Sequence, residues 1–202
     1  MSTSKSLQNQ IASSSQGWVF CANDFDNVGT DMNVDTILHR LAKKGLIRRL
    51  GYGLYDKPIT SNLLGPLSPS IQDIINAYAR KLGQTFVLDP LNAANVLGVT
   101  TQVPARLTYL TDGKSRVISV CGVDIYFIHA APKIIAGARS PVGIFIQALR
   151  YFGPRGAPDD VLKHLADRIK KSDLGILNIV KTNTLRSIVS QIDRITELAT
   201  IH

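Results

Sequence analysis

The chain has 202 residues, 45% hydrophobic and 19% charged, and its 23 lysines and arginines against 15 acids leave a formal net charge of +8. A mean hydropathy of +0.08 excludes a disordered polymer, and the length suits one small domain and one medium one. Two cysteines without a second cysteine or a histidine at ligand spacing exclude a disulfide framework and a zinc site, and no apolar run reaches the length of a membrane span.

A pI near 9.7 favours an anionic partner. Met1 to Gln16 is polar and serine-rich, so the expected setting is cytoplasmic, with buried free thiols and no membrane partner. Residues 4 to 13, with Leu7 and Ile11 four apart, predict a first helix, and Trp18-Val19-Phe20 a short strand. Asn23-Asp24 can cap a short helix over Phe25 to Val28. Gly29-Thr30 then turns into the next helix, with Thr30 or Asp31 as its cap.

That next helix, 31–44, is the most informative segment. Val34, Ile37, Leu38 and Leu41 form an apolar stripe, while Asn33, Thr36, Arg40, Lys43 and Lys44 lie on the other face. Such hydrogen-bonding and cationic side chains can reach base edges and phosphates from the major groove. Gly45 ends the helix, and Leu46 to Leu50 and Leu54-Tyr55 predict two strands around Gly51-Tyr52-Gly53, with Arg48, Arg49 and Tyr52 at or beside the tip. Charge segregates sharply: Asp24, Asp26, Asp31 and Asp35 precede the helix's basic half, and Arg40, Lys43, Lys44, Arg48 and Arg49 follow with no acid among them. Helix, short strand, helix, turn, helix and hairpin is the order of a winged helix-turn-helix, with 31–44 as its recognition helix.

Pro58, Gly65, Pro66 and Pro69, with serines between, mark 58–69 as a linker. The expected division is therefore a winged-helix domain over 1–57 and a second domain over 70–202. In the latter, Ile71 to Leu82 predicts a helix capped by Ser68 or Ser70, followed by a strand at 86–88 and a short helix through Ala93-Ala94. Strands at 107–110, 116–120 and 123–128, with turns at Asp112-Gly113 and Cys121-Gly122, predict antiparallel pairing. The rest is helical, with stripes headed by Val142, Val161 and Leu185, and the last helix is expected to cover either the core or a partner. The fold class expected is α+β: a winged helix, then a mixed domain with a small antiparallel sheet and several helices.

Enzymatic chemistry has little to stand on. Phosphate loops, dinucleotide fingerprints, zinc-protease helices and nucleophile elbows are absent, so no catalytic residue, metal or cofactor is expected. His129 ends a strand and reads as structural, His164 as solvent-exposed, and Asp159-Asp160 after Pro158 as helix-dipole stabilisers. Thr100, Thr101, Gln102 and Arg106 read as a turn satisfying backbone groups, with a polar binding surface as the other reading.

The stretch Leu38-His-Arg-Leu-Ala-Lys-Lys-Gly-Leu-Ile-Arg-Arg-Leu-Gly-Tyr-Gly-Leu-Tyr-Asp-Lys-Pro58, with Asn95-Val-Leu-Gly-Val-Thr-Thr-Gln-Val-Pro-Ala-Arg-Leu-Thr-Tyr-Leu-Thr-Asp-Gly113 downstream, resembles the AbiEi-like antitoxins of abortive-infection toxin–antitoxin pairs. The resemblance covers roughly residues 5 to 155. It implies an N-terminal domain that represses its own operon at inverted repeats in double-stranded DNA, and a C-terminal domain that counteracts a nucleotidyltransferase-like toxin. It places DNA contacts on Thr36, His39, Arg40, Lys43, Lys44, Arg48, Arg49 and Tyr52. Many members carry a basic residue where Gly51 or Tyr52 stands, so this wing tip is expected to stack or pack against sugar. Two copies would meet on the operator, as a homodimer in solution or only on DNA. The alternative is a stand-alone winged-helix regulator whose second domain senses a ligand or dimerises. An enzyme or RNA-processing factor ranks last.

Overall fold

A computed structural model describes residues 3 to 201, which form a mixed α+β chain dividing into two compact units, the first running to Gln84 and including Val120–Val123, the second made of Thr85–Ser119 and the residues from Asp124 onward.

In the first unit, α1 (Thr3–Ser13) buries Leu7 and Ile11, the pair that its four-residue spacing places on one face. β1 (Val19–Phe20) follows, then a 3₁₀ turn at Ala22–Phe25, α2 (Asp31–Lys43), β2 (Arg48–Gly51) and β3 (Leu54–Asp56). The three strands make one antiparallel sheet in the order β1-β3-β2, with Val19 opposite Asp56 and Arg49 opposite Tyr55. Phe20, Phe25, Val34, Leu38 and Leu54 are fully buried, and Trp18 and Phe25 pack on Phe20 at 4.7 and 5.6 Å between ring centroids.

The short second helix lies three residues upstream of its expected place. Asp24 accepts the Cys21 N–H at 2.9 Å, so the cap closes from inside the turn and Phe25 becomes its buried end and not its start. Residues 58–69, expected as a linker, instead carry a second hairpin of β4 (Thr60–Ser61) and β5 (Gly65–Pro66). The following α3 (Ile71–Leu82), expected to open the second domain, groups with the first unit. It is capped by Ser70, whose hydroxyl accepts Asp73 N–H at 3.1 Å, and closed by Gly83 in the left-handed region at φ 62°. Arg80 ties it to β1 and the 3₁₀ turn by donating to Asp24 Oδ1 at 2.5 Å and to the Val19 carbonyl at 3.0 Å.

In the second unit, β6 (Phe86–Leu88) leads into α4 (Pro90–Val96), whose cap Asp89 accepts Asn92 N–H at 2.8 Å. β7 (Leu107–Thr111), β8 (Arg116–Val120) and β9 (Val123–His129) complete a four-stranded sheet in the order β6-β7-β9-β8. This sheet is not wholly antiparallel as expected. β6 pairs with β7 antiparallel, but β7 runs parallel to β9, with Tyr109 opposite Phe127. Cys121 and Gly122, at φ 53° and 79°, form the tight turn of a two-residue hairpin, which folds β9 back beside β8 and so between β8 and β7. His129 then fastens the short 112–115 connection, its Nδ1 lying 2.9 Å from the Gly113 carbonyl and its N–H donating to Ser115 Oγ at 2.9 Å.

Four helices complete this unit: α5 (Gly143–Tyr151), α6 (Asp159–Arg168), α7 (Leu174–Lys181) and α8 (Arg186–Ile201). α7 was not singled out by the sequence stripes. Val142, Ile146, Leu149, Leu165 and Ile192 are fully buried in their common core, so the last helix covers its own unit. Cys21 is buried as expected, but Cys121, at the hairpin turn, is exposed. No helix of the described residues is long and apolar enough to cross a membrane.

Candidate nucleic-acid interface

The sequence periodicity of α2 becomes two faces. Val34, Leu38 and Leu41 are buried, whereas Asn33, Thr36, His39, Arg40, Lys43 and Lys44 are all exposed. Thr36 donates its hydroxyl back to the Met32 carbonyl at 2.9 Å. Met32, absent from the sequence reading, is 82% exposed. At helical spacing Met32, Thr36, His39 and Lys43 form the ridge farthest from the core, with Asn33, Arg40 and Lys44 along one flank.

The cations of this unit sort into two groups. Lys57 donates to the carbonyls of Ile11, Ala12 and Ser14 at 3.3, 2.8 and 2.9 Å, closing the C-terminal end of α1. Arg80 is held by Asp24. Arg40, Lys43 and Lys44, by contrast, make no side-chain hydrogen bond or ion pair among the described residues. Three cations not used to build the fold thus lie together on the last turn and a half of α2.

Arg48 does not join that free group. Its Nε donates to Asp56 Oδ1 at 3.0 Å, and one terminal nitrogen donates to Asp56 Oδ2 and to the Leu67 carbonyl, each at 2.6 Å. The hydrogen bonds to Asp56 raise its pKa further above the usual guanidinium value, against a smaller opposing effect of burial. The signal was in the sequence: residues 48 and 56 are equidistant from Tyr52, so a hairpin centred there sets them opposite each other.

Around the tip, Gly51, Tyr52 and Gly53 have φ of 105°, 54° and 70°. Two glycines accept this geometry readily, and Tyr52 is carried into the left-handed region between them. Tyr52 is 47% exposed. Arg49 is exposed and lies against the phenol of Tyr55, whose pKa is raised chiefly by burial, with Arg49 opposing and the Asp35 charge adding to the rise. Lys81 of α3 also reaches the tip: a Cβ on Gly53 would lie 2.7 Å from its ammonium. No local pattern could have linked Lys81 to a turn nearly thirty positions earlier.

The downstream segment behaves as a stitched turn. Gln102 N–H donates to Thr100 Oγ1 at 3.2 Å, Asn95 Nδ2 to the Gln102 carbonyl at 2.9 Å, and Tyr151 OH to Gln102 Oε1 at 3.0 Å. Arg106 sits 5.0 Å from the Tyr126 ring centroid, and Thr101 is exposed. His164, expected in solvent, is half-buried with Nε2 3.0 Å from the Leu97 carbonyl; the acceptor at the end of α4 is invisible to its own helix's pattern. No group of three or more potential metal ligands occurs among the described residues.

These features define a mixed α+β protein in which a small three-stranded sheet carries a helix with a basic outer face. The chain belongs to a family of unknown function, DUF6088, whose model matches residues 6–177. No curated protein matches it.

Proposed function

We propose that the chain is a DNA-binding antitoxin that represses its own toxin–antitoxin operon through a winged helix, acts in the cytoplasm, and counteracts a nucleotidyltransferase-like toxin through its second unit. The single observation carrying the DNA-binding part is the set of cations Arg40, Lys43 and Lys44, without a side-chain partner among the described residues, on one exposed face of α2. The antitoxin part rests on the resemblance of residues 38–58 and 95–113. In this reading α2 lies in the major groove. Asn33 can bond adenine, the Thr36 methyl can meet thymine, and Arg40, Lys43 and Lys44 neutralise phosphates. Arg49, Tyr52 and Lys81 contact the adjoining backbone or minor groove. No metal, cofactor or catalytic step enters.

Two copies on an inverted repeat would place their helices about 34–36 Å apart, or at multiples of that. The test is a titration of the protein against its own upstream region and a scrambled competitor at two salt concentrations. Selective binding that falls steeply with salt is expected, and replacing Arg40 and Lys43 by alanine should lower the slope of log affinity against log salt by about 2. Equal binding to both fragments would overturn the operator reading. Rescue of growth on co-expression with a neighbouring toxin-like reading frame tests the antitoxin part, and failure to rescue leaves a stand-alone regulator.

A further inference from the structure

The hairpin β2–β3 stands on a charged pair that the proposed DNA contacts do not use. Arg48 meets both carboxylate oxygens of Asp56, in the planar two-point geometry open to a guanidinium and closed to an ammonium. The carboxylate is shut away from water, with its side chain 1% exposed, against 30% for Arg48. The same guanidinium reaches the Leu67 carbonyl, so it joins the base of the wing to the segment returning from β5. Arg49, the next residue, projects to the other face of β2 by strand alternation and is exposed.

The ladder that this pair braces is short. Only three residue pairs join β2 to β3, and a bulge interrupts them between Arg49 and Gly51. Strands this brief specify their register weakly, and a one-residue slip would turn Arg49 inward and carry the tip with it. A buried carboxylate held by Arg48, which at the same time holds the Leu67 carbonyl, opposes such a slip, because any other register breaks this double clamp and either draws Arg49 in to meet Asp56 or leaves Asp56 unpaired.

We infer that Arg48 is a positioning residue for DNA binding and not a phosphate contact: with Asp56 it locks the register of β2 on β3 and thereby aims Arg49 and the wing tip at the duplex. The inference rests on the DNA-binding reading above.

Asp56→Asn separates the two roles because they differ in sign. Removing an acid raises the net charge above +8, which by charge alone strengthens binding to any duplex. Loss of a positioning clamp weakens it. With a duplex enriched by the wild-type protein from a random library, Asp56→Asn is expected to bind about tenfold more weakly. Arg48→Lys, which keeps the charge and loses the fork, should show a similar loss. Unchanged or tighter binding by either folded variant overturns the inference.

Should both variants unfold, the wild-type protein still decides. The Arg48 Nε–H signal, bonded to Asp56, is expected to stay in place when the duplex is added while that of Arg49 moves, and a moving Arg48 signal overturns the inference. A library from which no duplex is enriched would refute the DNA-binding reading itself, and the two failures are thus distinct.

Discussion

At the scale of single residues, the cations near α2 have unequal roles, and burial of their partners decides which. Arg48, Lys57 and Arg80 each satisfy a carboxylate or carbonyls within the unit, so replacing them should show first as lost stability. For Arg48→Ala the expected loss is about 3 kcal/mol, because a buried carboxylate is left without a partner; urea denaturation followed by far-UV circular dichroism measures it. Cys21 makes a second case. Burial, with the Asp24 charge added, pushes its thiol up to about 11. The thiol form is therefore favoured in the folded state, and this contribution to stability is complete below the ordinary thiol value of about 8.5 and is lost as pH rises towards about 11. Iodoacetamide at neutral pH should accordingly modify Cys121 alone in the native protein and both cysteines after unfolding, as mass spectrometry would count. Two modified cysteines in the native protein would contradict the burial of Cys21.

At the scale of elements, the tip of the β2–β3 hairpin depends on glycine for two separate reasons. Gly53 sits at φ 70°, and a side chain there would also press on Lys81. Gly53→Ala is thus expected to destabilise the unit by about 1–2 kcal/mol and, by displacing Lys81, to weaken DNA binding beyond what the lost stability explains. Thermal melting and the same titration would separate the two effects. Ser70 caps α3 through the Asp73 N–H, and Ser70→Ala should cost about 1 kcal/mol in denaturant titration. α1 and α2 were legible because their apolar residues recur at helical spacing. The 3₁₀ turn was misplaced because its cap works backwards, from Asp24 to the Cys21 N–H, and the parallel pairing of β7 with β9 was missed because hairpin turns describe only adjacent strands.

At the scale of the whole molecule, α8 decides how far the chain tolerates change. Ile188, Ile192 and Ile195 are almost fully buried in the core of the second unit, so the helix is part of that core and not an appended arm. Ile192→Ala should therefore lower stability by about 2–5 kcal/mol through lost burial and a residual cavity, and a loss under 1 kcal/mol would mean that α8 packs loosely.

Readable in the chain alone were local features: the helical stripes, the glycine turns, and the basic half of 31–44 against its acidic approach. Each follows from residue types and spacings of a few positions. The tertiary structure alone decided which charges are left over. Lys43 and Arg48 look equivalent in the chain, yet one is exposed with no side-chain partner among the described residues and the other grips a buried aspartate across a hairpin. It also set Lys81 beside Gly53, His164 against Leu97 and β9 between β7 and β8. The physical reason is the same in each case: a buried polar group must find its partner wherever the fold brings one, and that distance in sequence is not written into local spacing.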